Sequence, residues 1–174
     1  TPILYAMFKP EEIGPENANE KFNSLQRSMT LNPWDGRLTR ELQFVKQLRD
    51  RFPQVEIRDG APLVWELRQI KSPAELDVLR RAARIGVNAH RALIQSTRPG
   101  VPEKSLAAVF EFVCGLEGAA GQAYYPIIMS GKNLAYGHYL AYDRVLKAGD
   151  FVILDAGPDY ADYHVDISTS FPAS

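Results

Sequence analysis

Cysteine is almost absent from this sequence: Cys114 stands alone among 174 residues, so no internal disulfide can form. That suits a reducing, cytoplasmic setting. No apolar run approaches the roughly 20 residues of a membrane-spanning helix, which excludes that kind of anchor within the sequence. An excess of one charge is missing too, because 20 Lys+Arg face 21 Asp+Glu for a formal net charge of -1. Without a basic footprint to neutralise phosphates, nucleic acid is not expected as a partner. Repeats and low-complexity tracts are absent, and so is an initiator Met: the chain begins at Thr1 and ends at Phe171-Pro172-Ala173-Ser174, just after a strand-like run. Both ends look cut, so the lack of a signal peptide says little about the gene product. What is present is 45% hydrophobic residues, enough for an ordered chain that buries roughly 70% of its unfolded surface rather than a disordered one.

The composition changes near residue 60. Before it come an apolar start (Ile3 to Phe8), a polar Pro/Asn-rich stretch (Pro10 to Pro33) and a turn at Trp34-Asp35-Gly36. A helical pattern follows from Leu38 to Phe52, with Leu42, Val45, Leu48 and Phe52 spaced by three or four. Arg58-Asp59-Gly60-Ala61-Pro62 carries strong breakers and reads as a linker between domains 1–60 and 61–174. After it, Ser72, Pro73 and Glu75 form a helix-start signal in which serine caps, proline takes the first turn and glutamate returns to the cap. Leu76, Leu79, Ala83, Gly86, His90 and Leu93 line one stripe of that helix, which ends before Pro99-Gly100. A second helix fits Pro102 to Glu117, with Leu106, Val109, Phe110, Val113 and Leu116 inward and Gly118 as the stop. From Tyr124 the pattern turns to strands: Pro126 to Met129, Phe151 to Leu154, and an alternating run from Tyr163 to Phe171.

Two carboxylates stand out. Asp155 directly follows Phe151-Val152-Ile153-Leu154, and Asp166 lies inside the alternating run, with a reversal between them at Gly157 to Asp162. A hairpin with its tip at Tyr160-Ala161 sets Asp155 directly opposite Asp166, both on one face with Cβ atoms about 5 Å apart. Like charges at that distance repel, and flanking aliphatics deprive them of water, so the pair calls for a cation. Carboxylate oxygens are hard ligands for Mn, Mg or Zn and can bridge two metals. The plainer alternative is that Asp155 merely ends a strand. Asp159 and Asp162 read as turn residues.

The motifs carry a resemblance. Gly149-Asp150-Phe151-Val152-Ile153-Leu154-Asp155-Ala156-Gly157, followed by Asp166-Ile167-Ser168-Thr169-Ser170-Phe171-Pro172, resembles the first two metal-ligand segments of the aminopeptidase P/prolidase group, metallopeptidases of the "pita-bread" fold. Ile70 to Leu76 is similar to the opening of that catalytic domain, Arg98-Pro99-Gly100-Val101 to its inter-helix turn, and Ser130-Gly131-Lys132-Asn133 with His138-Tyr139 to its substrate-histidine segment. The resemblance spans residues 62 to 174, and residues 1 to 58 look like the end of the amino-terminal domain of the creatinase/prolidase branch.

It implies an α+β fold: the first half of a pita-bread domain behind the tail of an amino-terminal α/β domain. Asp155 would ligate one metal and Asp166 would bridge two, lowering the pKa of a shared water that attacks the peptide. Mn is the expected metal, with Zn, Co or Mg as alternatives. His138 matches the substrate-facing histidine that stabilises the tetrahedral intermediate, and Tyr124, next to Tyr125, stands where relatives place a pocket tyrosine. The family's remaining ligands, one His and two Glu, are not in this chain. A fragment with two carboxylates would bind metal weakly or not at all and would be inactive by itself. The implied reaction is hydrolysis of Xaa-Pro bonds at peptide amino termini, on proline-containing peptides. The rest of the parent chain or a homo-oligomer would cover leftover apolar surface. A departure is Thr169, where many relatives have arginine.

Other residues read more simply. By residue type alone His138 is a loop histidine, and His90 on the buried stripe is a core histidine. His164, two positions from Asp166, fits the wall of the site better than a metal ligand. Cys114 sits among apolar neighbours as a small buried residue. A Ser168 or Ser170 triad with His164 lacks a strained nucleophile turn and an oxyanion hole. Gly115, Gly118 and Gly121 follow no strand and match no phosphate loop. Two function classes compete with the peptidase: a catalytically silent pita-bread module that binds peptides or proteins, and a metal-free creatinase-like hydrolase.

Overall fold

A computed structural model describes residues 2–8 and 31–173, so the Pro/Asn-rich stretch lies, up to residue 30, outside the described residues. The elements run β1 (Ile3–Ala6), α1 (Arg40–Arg51), β2 (Glu56–Asp59), α2 (Ala61–Gln69), α3 (Pro73–Ser96), α4 (Glu103–Leu116), β3 (Gly121–Gln122), β4 (Ile127–Ser130), a 3-10 turn (Gly131–Ala135), β5 (Phe151–Asp155), β6 (Pro158–Tyr160), β7 (Tyr163–His164) and β8 (Ser168–Pro172). From α3 onward the helices precede the strands, which pair antiparallel, and the fold is of the α+β class expected. The chain forms two compact units, Thr1–Ser72 and Pro73–Ser174.

In the first unit β1 pairs in parallel with β2, Leu4 opposite Ile57. Thr39 caps α1 by accepting from the Leu42 amide at 3.3 Å, which sets the helix start two residues after Leu38. The expected linker is instead structured: Glu56–Asp59 is a strand, and Pro62 sits in the first turn of α2, where its missing N–H costs nothing. Breakers there mark a strand-to-helix turn, and the boundary between the two units falls after Ser72.

In the second unit α3 begins at Pro73, as the capping signal predicts. Its buried face is Ala82, Ile85, Gly86, Ala89, His90 and Leu93, while Leu76 is exposed and Ala83 half-buried. The stripe is rotated toward Ile85 because small residues let the helix lie close to the strands: a methyl on Gly86 would stand 3.2 Å from Pro158. Helix α4 buries Glu103, Leu106, Phe110 and Cys114, whereas Leu116 and Phe112 are exposed. The core joins Ile85, Ala89, Leu93, Leu106, Phe110 and Cys114 of the helices to Ile128, Val152 and Leu154 of the sheet. That sheet has the order β4-β5-β8, all antiparallel, and β3-β6-β7 forms a second.

Apolar side chains do remain uncovered, with Phe112 and Leu116 on α4 at 65% and 70% exposure. Among the described residues no helix is long and apolar enough to cross a membrane. Cys114 is buried, and desolvation pushes its thiol up to about 12. Thiol reagents at pH 8 should therefore leave Cys114 unmodified in the folded chain and label it on unfolding, a contrast measurable by mass spectrometry. The raised pKa also makes stability fall with alkalinity. The folded chain keeps a proton that the unfolded chain releases near pH 9, so the thiol's contribution is present below pH 9 and lost between about 9 and 12.

Candidate metal centre

Strand β5 carries Asp155 at its end, where Val152 and Leu154 point into the core and leave the odd positions for the other face. The return strand is broken in two. Tyr163–His164 pairs with β6, Ser168–Pro172 pairs with β5, and Asp166 lies between them outside both ladders. The turn tip is Ala161-Asp162, with φ values of 54° and 63°, and not Tyr160-Ala161. Two successive positive φ values are those of the two-residue hairpin turn whose twist matches its strands. The register is therefore displaced by two: Asp155 faces Ser168, and Asp166 is its diagonal neighbour. A shift of two preserves side-chain parity, so both carboxylates still project from one face.

Tyr124 ties the pair together. Its Oη lies 2.6 Å from Asp155 Oδ1 and 2.6 Å from Asp166 Oδ1. One hydroxyl proton serves two carboxylates, so whichever oxygen receives it, the other approaches without one. Burial, reinforced by the hydrogen bonds to Asp155 and Asp166, pushes the Tyr124 phenol well above its ordinary pKa and keeps the proton in place. No lysine or arginine forms an ion pair with either aspartate among the described residues. Two apposed anionic oxygens short of counter-charge are a donor set suited to a hard divalent cation. The set is incomplete: among the described residues no group of three or more His, Cys, Asp or Glu could hold a metal.

Behind the pair stands His90 of α3. Its Nε2 is 3.0 Å from the Ala156 carbonyl oxygen and its Nδ1 is 3.2 Å from Thr169 Oγ1. A carbonyl only accepts, so Nε2 carries the proton. Burial lowers the ring's pKa and keeps it neutral, leaving Nδ1 to accept from the threonine hydroxyl. The core histidine expected from the stripe thus fixes the backbone just after Asp155, and Thr169 finds its partner there. His164 faces Asp159, with Nε2 3.7 Å from Oδ2. His138 lies on an exposed segment with φ 51°, and among the described residues no hydrogen bond joins it to Tyr124, Asp155 or Asp166. Of the adjacent tyrosines, Tyr124 is 6% exposed and Tyr125 is 45% exposed.

Sequence reasoning missed Glu103. It opens α4, is fully buried, and accepts from the Ser130 amide and Ser130 Oγ, both at 2.7 Å. An acid in a first helical turn ordinarily signals only the helix dipole, so its burial left no mark in the sequence.

Residues 77–174 match the profile of metallopeptidase family M24. The Xaa-Pro aminopeptidase of Escherichia coli (strain K12) is 37% identical over 116 residues, covering 67% of this chain and 26% of that protein. The Xaa-Pro dipeptidase of Homo sapiens is 32% identical over 171 residues, covering 94% of this chain and 34% of that protein. The chain thus spans between a quarter and about a third of these relatives. Among solved structures, the prolidase from Pyrococcus furiosus superposes with a TM-score of 0.71 at 28% identity, over 80% of this chain and 40% of that one. The X-Pro aminopeptidase from Thermotoga maritima MSB8 gives 0.68 at 29% identity, over 75% and 37%.

Proposed function

The chain belongs to metallopeptidase family M24, with the pita-bread fold of aminopeptidase P and prolidase, and from that premise we propose that it is part of a dinuclear metal-dependent exopeptidase cleaving Xaa-Pro bonds at peptide amino termini. The observation that carries the reading is the convergence of Asp155 and Asp166 on the Tyr124 hydroxyl. A protein with no cation to bind would have no physical reason to hold two carboxylates there.

In this reading Asp155 and Asp166 hold the metals, with Mn first and Zn, Co or Mg as alternatives. Bound divalent ions supply Lewis acidity and a water of lowered pKa. Tyr124 orients both carboxylates through its hydroxyl, and His90 holds the Ala156 carbonyl so that the Asp155 backbone cannot drift. His138 offers an imidazole N–H to the carbonyl oxygen of the scissile bond, where negative charge develops. The one His and two Glu that complete the ligand set come from the parent peptidase outside these residues, and a second copy or that remainder covers Phe112 and Leu116. A reducing cytoplasm suits the single buried thiol.

The test is hydrolysis of Xaa-Pro against Xaa-Ala peptides by the parent peptidase before and after chelation. We expect Xaa-Pro cleavage that chelation abolishes and Mn restores, and no turnover by the 174-residue chain alone. Activity that survives complete metal removal, or turnover by the isolated chain, would refute the reading.

A further inference from the structure

The segment between β4 and β5 is fastened at both ends by one side chain. At its start, Glu103 Oε1 accepts from the Ser130 amide and hydroxyl, each at 2.7 Å, and Asn133 Nδ2 reaches both Glu103 oxygens at 3.3 and 3.2 Å. At its end, the Arg144 amide donates to Glu103 Oε2 at 3.4 Å, and the Glu103 amide donates back to the Arg144 carbonyl at 2.9 Å. The carboxylate is fully buried and receives only donors. Around it the Arg144 guanidinium bonds Ser130 Oγ at 3.1 Å and Asp150 at 2.5 and 2.9 Å. It also lies over Gly131, whose φ of 51° favours glycine. From this anchor a hydrogen bond runs on within the segment that carries His138. Asn133 Nδ2 donates to Asp143 Oδ1 at 3.2 Å, and the nearby Asp143 carboxylate raises the pKa of the Tyr139 phenol, next in sequence to His138.

We propose that Glu103 is the positioning residue for His138: it closes the Ser130–Arg144 segment into a fixed loop and sets where the imidazole stands. A buried carboxylate is costly to keep unless its donors repay the desolvation, and here every one of them belongs to the segment that carries His138. The inference rests on the reading of His138 as substrate-facing, and the experiment separates the two.

In the parent peptidase, Glu103→Gln, His138→Ala and the double variant form a cycle read by kcat and KM on an Xaa-Pro peptide, with bound Mn measured in each. The glutamine keeps size and shape but turns an NH2 toward donors. We expect Glu103→Gln to lower kcat about 10- to 100-fold, as a misplaced catalytic group does, with KM and Mn content unchanged. In the His138→Ala background the same substitution should cost less than about twofold. Equal losses in both backgrounds, no loss at all, or loss of Mn would overturn the proposal. Full activity in His138→Ala would instead overturn the histidine's role, and the inference with it. If Glu103→Gln does not fold, Ser130→Ala removes one donor only, and the same dependence on His138 is required of it.

Discussion

Asp166→Ala in the parent peptidase should abolish Mn-dependent Xaa-Pro cleavage, with kcat/KM falling at least about 10³-fold. Asp166 contributes half of the negative charge that meets at Tyr124, and no basic side chain among the described residues offers a substitute positive centre for the remaining half. Asp166→Asn is the sharper form of the test, because it keeps an acceptor for the Tyr124 hydroxyl while removing the charge. Both variants should lose Mn affinity, measured by calorimetry, but they should not lose stability in the absence of metal. Two like charges about 4 Å apart repel by about 1 kcal/mol in water and more where water is scarce. The metal-free asparagine variant should therefore melt at the same temperature as the parent or above it. Opposite signs in the two measurements separate a ligand from a structural aspartate, whose replacement would lower both. Retained activity in Asp166→Ala would end the peptidase assignment.

How far the sequence led can be judged at particular residues. The faces of the two carboxylates were legible because strand parity is a local property: a four-residue apolar run and a clean alternation determine it. The pairing was not, because the tip depends on Ala161 adopting a left-handed conformation that an alanine seldom takes and that nothing in its neighbours announces. An error of two residues left Asp155 and Asp166 on one face, whereas an error of one would have sent them to opposite faces. The start of α3 was legible from Ser72, Pro73 and Glu75, since capping is a contest among neighbouring groups. Its buried stripe was legible at Gly86, His90 and Leu93 but not at Ala82, Ile85 and Ala89, which turn inward only when a partner sheet arrives. The same limit hid Glu103, whose donors lie 27 to 41 positions along the chain. It also hid β2, which exists only because β1 lies alongside it. Long-range partners convert polar residues into keystones, and spacing carries no trace of them.

Gly157→Ala tests a place where the two aspartate segments approach each other as bare backbone. A Cβ built on Gly157 would fall 1.5 Å from the Val165 carbonyl oxygen and 2.6 Å from its carbon. Contact distances between such atoms exceed 3 Å, and neither neighbour is a side chain that could turn aside. The argument is one of space, since Gly157 is not among the glycines with positive φ. Its carbonyl also accepts from the Ala123 amide at 2.9 Å, and the next link, Ala156, donates to Ile167 at 3.1 Å, so the strand cannot simply retreat. An added methyl must push Val165 outward, and Asp166, its neighbour in sequence, goes with it and leaves the Tyr124 hydroxyl. The cost belongs with the severe backbone cases, more than about 3 kcal/mol, and should appear in urea unfolding as a lower midpoint with an unchanged slope. Gly115→Ala provides the contrast, because nothing lies within 4 Å of that position and it sits in α4. There alanine's helix preference should raise stability by up to about 1 kcal/mol. The same chemical change is thus expected to act with opposite sign at two sites of one domain. A Gly157→Ala variant as stable as the parent would mean that Asp155 and Asp166 are not held together by this backbone crossing.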